Sequence, residues 1–221
     1  MGLLLFAAIS LKATSVTVQE VGTGAGTDVY IDSSTLADSS VLGNGLHVFA
    51  GFINLKINGS PTLGFCIDPW HWSTSDSQTY QLVPLDQAPE SPGPMGTIAA
   101  QKIEKLWQKY YAGALGDNNE AAALQIVIWE LVDAGVAGGT FSLDPAHPLT
   151  GQLLIDYTNM KAWLSGDLSN AIPADLDAVK KLSLAGAAGQ DYVIPGVPDG
   201  GSTAVLLGAA LMAIAAFRRR R

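Results

Sequence analysis

The sequence predicts an α+β fold, rich in β-structure, with a sandwich- or barrel-like framework that carries a subdomain of two or three helices. Three observations lead there. Residues 15–84 run in short stretches of Val, Ile, Leu, Thr and Phe broken by Gly, Asn, Ser and Asp, which is the pattern of strands and hairpins. After the proline-rich segment 86–94 the apolar period changes to a helical one, and short β-like runs return near the end. With 48% hydrophobic and 14% charged residues among 221, the middle of the chain can bury the core of one domain once both ends are set aside.

The first strands are expected over 16–21, 29–32, 46–57, 62–67 and 79–83. Asn58-Gly59-Ser60-Pro61 forms a turn between the third and fourth, which places Cys66 on the returning strand of a hairpin. Its formal glycosylation sequon is read as part of that turn. Ile98, Ala99, Ile103, Leu106, Trp107 and Tyr110 recur at helical spacing and predict an amphipathic helix over 96–112. A second helix starts at an N-cap, Asn118 or Asn119, with Glu120 in its first turn; it is apolar nearly all round over 121–132 and ends at Gly135, so it is buried. A third helix covers 150–164, with Leu153, Leu154, Tyr157 and Trp163 on its apolar surface, and strands return at 182–184 and 191–194. There is no internal repeat.

Both ends read as targeting segments. An apolar run over 3–11, then Lys12 and the small residues of Ala13-Thr14-Ser15, predicts a signal peptide over 1–15, although a basic start is missing. The mature domain then covers 16–195. At the other end Val197, Pro198, Asp199, Gly200 and Gly201 form a hinge before an apolar span, 203–217, closed by Arg218, Arg219, Arg220 and Arg221. The span reaches only about 22 Å, against about 30 Å of hydrocarbon, a gap that arginine snorkelling can close. The arginines belong on the cytoplasmic side and the domain beyond the membrane.

This tail, 196–221, resembles a PEP-CTERM sorting signal, with Asp199-Gly200 in place of the usual Glu-Pro. The resemblance implies an exosortase-type processing enzyme as a partner, the inner membrane as a station during sorting, and the cell surface or extracellular matrix as destination. A plain membrane anchor is the alternative.

The formal charge of -8, with no basic stripe outside the last four residues, excludes nucleic acid as an expected partner. One cysteine cannot form an internal disulfide. Three scattered histidines and one cysteine show no metal-ligand spacing, so neither a metal nor another cofactor is expected.

Two residues stand out against this background. Gln125 is the one uncharged polar side chain inside the apolar stretch of the second helix, and an unpaired buried amide costs about 1 to 3 kcal/mol. A backbone group of a neighbouring loop is its expected partner. Cys66 is the other, in Gly64-Phe65-Cys66-Ile67-Asp68-Pro69.

Phe65-Cys66 on a strand, followed by Leu124-Gln125-Ile126-Val127-Ile128-Trp129 on a helix, resembles the thioester domains of bacterial surface adhesins. The resemblance covers roughly 46–132 and implies a bond between the Cys66 sulfur and the Gln125 acyl carbon. A thiol attacks the carboxamide and expels ammonia, and the thioester is far more electrophilic than the amide it replaces. Phe65, Ile67 and Trp129 would shield it from water. An amine on a surface or matrix macromolecule would then attack, leaving an isopeptide bond. Such a protein acts once, is not an enzyme and has no catalytic residues.

Two other classes compete. One is a noncovalent structural or carbohydrate-binding matrix protein, for which Trp70, His71, Trp72 and Tyr80 could form a stacking patch. The other is a cysteine-dependent hydrolase or transferase in which His71 or His47, with Asp68, activates Cys66.

Overall fold

The computed structural model describes residues 14–32, 46–180 and 189–196. Six antiparallel strands close into a barrel, and three helices pack on it, which is the expected β-rich α+β class in its barrel form. The strands are β1 (Thr14–Ile31), β2 (Leu46–Ile57), β3 (Ser60–Cys66), β4 (Gln78–Pro84), β5 (Leu176–Lys180) and β6 (Tyr192–Pro195). Around the barrel they run β1-β2-β3-β6-β5-β4. The helices are α1 (Gly96–Ala114), α2 (Asn118–Gly135) and α3 (Gly151–Leu164).

The runs expected at 16–21 and 29–32 are one strand. β1 continues through the glycine-rich interval by shifting register against β2 between Glu20 and Gly22 and again between Thr23 and Gly26. Such irregularities bend a strand without ending it. At the second bend Gly26 lies opposite Gly51, and the backbones approach so closely that a Cβ on Gly51 would sit 2.4 Å from the Ala25 carbonyl oxygen. The β2–β3 hairpin turns on Asn58 and Gly59, both at positive φ (50° and 82°), as a two-residue Asn-Gly turn requires. Asn58 also ties this turn to β1, its backbone N–H donating to the Thr17 carbonyl at 2.9 Å while its Oδ1 accepts from the Thr17 N–H at 2.9 Å.

α1 buries Ala99, Ala100, Ile103, Leu106 and Trp107. Ile98 is 76% exposed, so the apolar face lies one position away from where the spacing put its edge. α2 is capped by Asp117, whose carboxylate accepts from the N–H groups of Asn119 (2.8 Å) and Glu120 (3.1 Å), and neither asparagine is the N-cap. Asn118 instead accepts from the Gly26 N–H on β1 at 3.2 Å, fixing the helix start to the barrel. On α3 Leu153 and Met160 are buried while Leu154 faces solvent. β5 has no counterpart in the sequence reading, and the strand expected at 182–184 lies outside the described residues, as do residues 1–13 and 197–221. Thr14 and Ser15, read as the end of a signal peptide, pair with Leu82 and Gln81 at the start of β1. Among the described residues no helix is long and apolar enough to cross a membrane.

Strand alternation divides the apolar side chains into two clusters. Ala50, Phe52, Phe65, Val83, Leu176, Ala178 and Val193 face the helices, where α2 supplies the centre of the larger core. Val16, Val18, Ile53, Leu55, Tyr80, Tyr192 and Ile194 form the smaller cluster on the opposite face. Cys66 pairs with Tyr192, at the seam between the two.

Replacing Gly51 by Ala is expected to lower stability by about 1 to 3 kcal/mol, because the added methyl meets rigid backbone and the residue's φ is +148°. Urea unfolding will show a lower midpoint at unchanged slope.

Candidate functional site

β3 loses its β2 partner before its end. The last pair of that ladder is Ile53 with Gly64, whereas the pairing with β6 continues to Cys66. Without β2 alongside, the N–H and C=O of Cys66 need another partner, because buried peptide groups left unpaired are costly. α2 supplies it. The Gln125 carboxamide meets residue 66 edge to edge, its Oε1 accepting from the Cys66 N–H at 3.0 Å and its Nε2 donating to the Cys66 carbonyl at 2.7 Å. A side-chain amide thus replaces the missing strand. Gln125 is 1% exposed and Cys66 2% exposed, and 59 positions separate them. Gln125 does find a backbone partner, but it is the end of strand β3 at Cys66 rather than the neighbouring loop expected.

The thiol side chain has a distinct set of neighbours. Alternation along β3 puts Cys66 on the side of its ladder partner Tyr192, although the residue still packs within the larger core, while Phe65 lies against Phe52 (4.3 Å between centroids) and Trp107 (5.5 Å). Phe65 therefore seals the strand from the far side rather than covering the sulfur. Ile67 is fully buried and its N–H donates to the Asp191 carbonyl at 3.0 Å. Trp129, one turn after Gln125, is the expected wall that does reach the sulfur side. Its buried indole N–H has no partner at hydrogen-bonding geometry among the described residues, and its influence falls on the Cys66 sulfur, where it favours the thiolate. The Asp68 backbone N–H also points at the sulfur, 3.3 Å away. Burial outweighs both, and with the Asp68 carboxylate nearby it pushes the Cys66 thiol far above its ordinary range.

Beyond the strand, residues 68–71 build a second polar group, in which Asp68 and His71, read from the sequence as a route to a cysteine nucleophile, bond to each other. Asp68 is 1% exposed, and both of its carboxylate oxygens lie 2.8 Å from His71 Nδ1. The Trp70 N–H, 3.3 Å away, and the Asp191 backbone N–H add to it. Burial raises the Asp68 carboxyl above its ordinary value, with the His71 bond opposing that rise. The bond to Asp68 raises His71 above its ordinary 6.5. The legible signal was the three-residue spacing of Asp68 and His71, which recurs in Asp144 and His147 at 2.7 Å.

The remaining sequence candidates separate. His47 is half-exposed, stands 3.6 Å from Asp28, and does not join Cys66. Trp70 and Tyr80 are buried and Trp72 is 53% exposed, so the proposed stacking patch is not assembled. Among the described residues no three His, Cys, Asp or Glu side chains are placed to hold a metal. A cavity of about 190 Å³ opens beside the site, lined by Glu20, His47, His71, Trp72, Trp129 and Gln190, among others.

Comparison with known families adds the C-terminus. Residues 196–221 match the VPDSG-CTERM motif. The match points to a sorting signal of the PEP-CTERM type, and Asp199, which departs from the Glu-Pro form, agrees with the Val-Pro-Asp of this variety. The signal points to an exported surface protein, sorted through the membrane and processed by an exosortase-type enzyme. No curated protein and no solved structure matches the chain.

Two outcomes follow from the geometry. Gln125→Leu keeps the volume but leaves both peptide groups of Cys66 unpaired, and is expected to cost at least about 2 kcal/mol in urea unfolding. For His71 and Asp68 both shifts are upward, so the native state holds these protons more tightly than the unfolded chain. The His71 contribution is complete below 6.5 and is lost as pH rises through its higher native pKa. The destabilisation caused by His71→Gln is therefore expected to shrink as pH rises above the ordinary 6.5 of histidine and through the higher native pKa, followed by unfolding midpoints.

Proposed function

We propose that this protein is a single-use covalent tether, exported to the cell surface or extracellular matrix, in which Cys66 and Gln125 condense to an internal thioester. The observation that carries this reading is the clasp, because it holds the one thiol-bearing residue and one carboxamide in a fixed relation within a site closed to water. Formation is balanced within the pair: the sulfur bonds to the Gln125 acyl carbon, the thiol proton joins the departing nitrogen, and ammonia leaves. The Cys66 N–H on Oε1 is placed to stabilise the negative charge that builds on that oxygen. Intramolecular placement of this kind can supply about 7 to 11 kcal/mol of the barrier.

The bond would also link β3 to α2 across nearly sixty residues. By the loop-entropy estimate for cross-links that constraint stabilises by about 4 kcal/mol. Once a partner's amine attacks the acyl carbon, the product is an isopeptide link and a free Cys66 thiol, and the site cannot act again. The sorting signal suits this use, since a surface chain meets its partner outside the cell. The depth of Cys66 weighs against a cysteine hydrolase, whose nucleophile must be reachable by one substrate after another.

Intact mass of the purified chain tests the reading. The expected mass is one ammonia below that of the sequence, restored in Cys66→Ala and in Gln125→Ala, and methylamine should add to the wild type and to neither variant. A full-mass wild type with a titratable thiol in the native state would leave an exported, noncovalent scaffold.

A further inference from the structure

The cavity beside the clasp bears on how an amine reaches it. Its volume of about 190 Å³ equals roughly six water molecules, enough for an extended alkylamine and too little for a folded chain. Two of its lining residues connect to the surroundings of Cys66. Trp129 lines the cavity, and its buried indole N–H, which has no partner at hydrogen-bonding geometry among the described residues, favours the Cys66 thiolate. His71 also lines it, and is bonded to Asp68, whose backbone N–H reaches the sulfur at 3.3 Å. Glu20, part of the same lining, accepts from the Tyr192 hydroxyl at 3.1 Å and adds an acidic side chain to the cavity. The cavity thus gathers one acidic side chain, Glu20, with Trp129 and His71, the two lining residues that connect to the surroundings of Cys66.

We propose that this cavity is the entry channel for a primary alkylamine, such as a lysine side chain, and that His71, oriented by Asp68, accepts the proton the amine loses when it opens the thioester. The inference rests on the thioester reading. Glu20 attracts the ammonium form, which gives up one proton to solvent before attack. The neutral nitrogen bonds to the Gln125 acyl carbon, the carbon–sulfur bond breaks, and its electron pair leaves with Cys66. Oε1 keeps the Cys66 N–H throughout, and the departing sulfur is met by the Asp68 N–H and the Trp129 indole. With Nδ1 committed to Asp68, Nε2 is the ring nitrogen left to take the amine's second proton. That proton then passes to the sulfur, which burial strongly favours as thiol, so His71 ends neutral and no other reactant is consumed.

Aminolysis of the full chain in mild detergent, followed by intact mass with methylamine as the probe, tests this. Wild type, His71→Gln and His71→Ala should all show the ammonia loss, with methylamine addition slower by on the order of 100-fold in both variants. The ratio of wild-type to His71→Gln rates, from which the amine's own ionisation cancels, should rise with pH through the His71 titration and then level off. Asp68 and Asp191 set that titration, and Glu20 and His47 share the cavity. Added imidazole should restore part of the rate to His71→Ala. If the wild type shows no ammonia loss, the thioester itself fails. If it does, but His71→Gln reacts at the wild-type rate, the ratio is flat with pH, or His71→Gln fails to form the bond, the proton-acceptor role alone is overturned.

Discussion

The contact on which the rest depends is the pairing of the Gln125 carboxamide with the peptide groups of Cys66. It settles two problems that neither element solves alone. β3 extends past its partnership with β2 and leaves polar backbone facing the helical layer. α2 is buried over 121–129, and Gln125 is the one polar side chain within that buried surface. Joining them fixes the rotation of α2 on the barrel, since a turn of the helix by one residue would set an apolar side chain against two peptide dipoles. The same join holds Cys66 where strand, helix and the smaller core meet.

Around this join the barrel supplies rigidity and charge. β6 pairs with the last residues of β3 and brings Asp191, whose carbonyl takes the Ile67 N–H and whose side chain accepts from the Glu90 N–H at 2.7 Å. Asp68 is held in turn by His71 and by backbone donors. Buried carboxyl groups beside a buried thiol keep that thiol protonated and quiet.

Outside the barrel the sorting signal sets the setting in which any such chemistry is used. A chain handled by an exosortase-type enzyme leaves the cytoplasm.

Local pattern made most elements legible: β2 has the expected bounds, the Asn58-Gly59 turn has the expected form, and α2 is as buried as its apolar run requires. The C-terminal signal was equally plain, because order and composition alone define it. Other features depended on distant neighbours. β1 crosses its glycines because β2 offers a second glycine opposite, and β5 exists because β4 and β6 both pair with it. Asp117 took the cap from two asparagines, one of which was drawn to β1. That Cys66 and Gln125 belong together was suggested by residue type and order. Their edge-to-edge pairing, the turning of Phe65 away from the sulfur, and the burial of Asp68 against His71 were decided by the end of one ladder and the closure of the barrel, which join positions that a linear chain holds far apart.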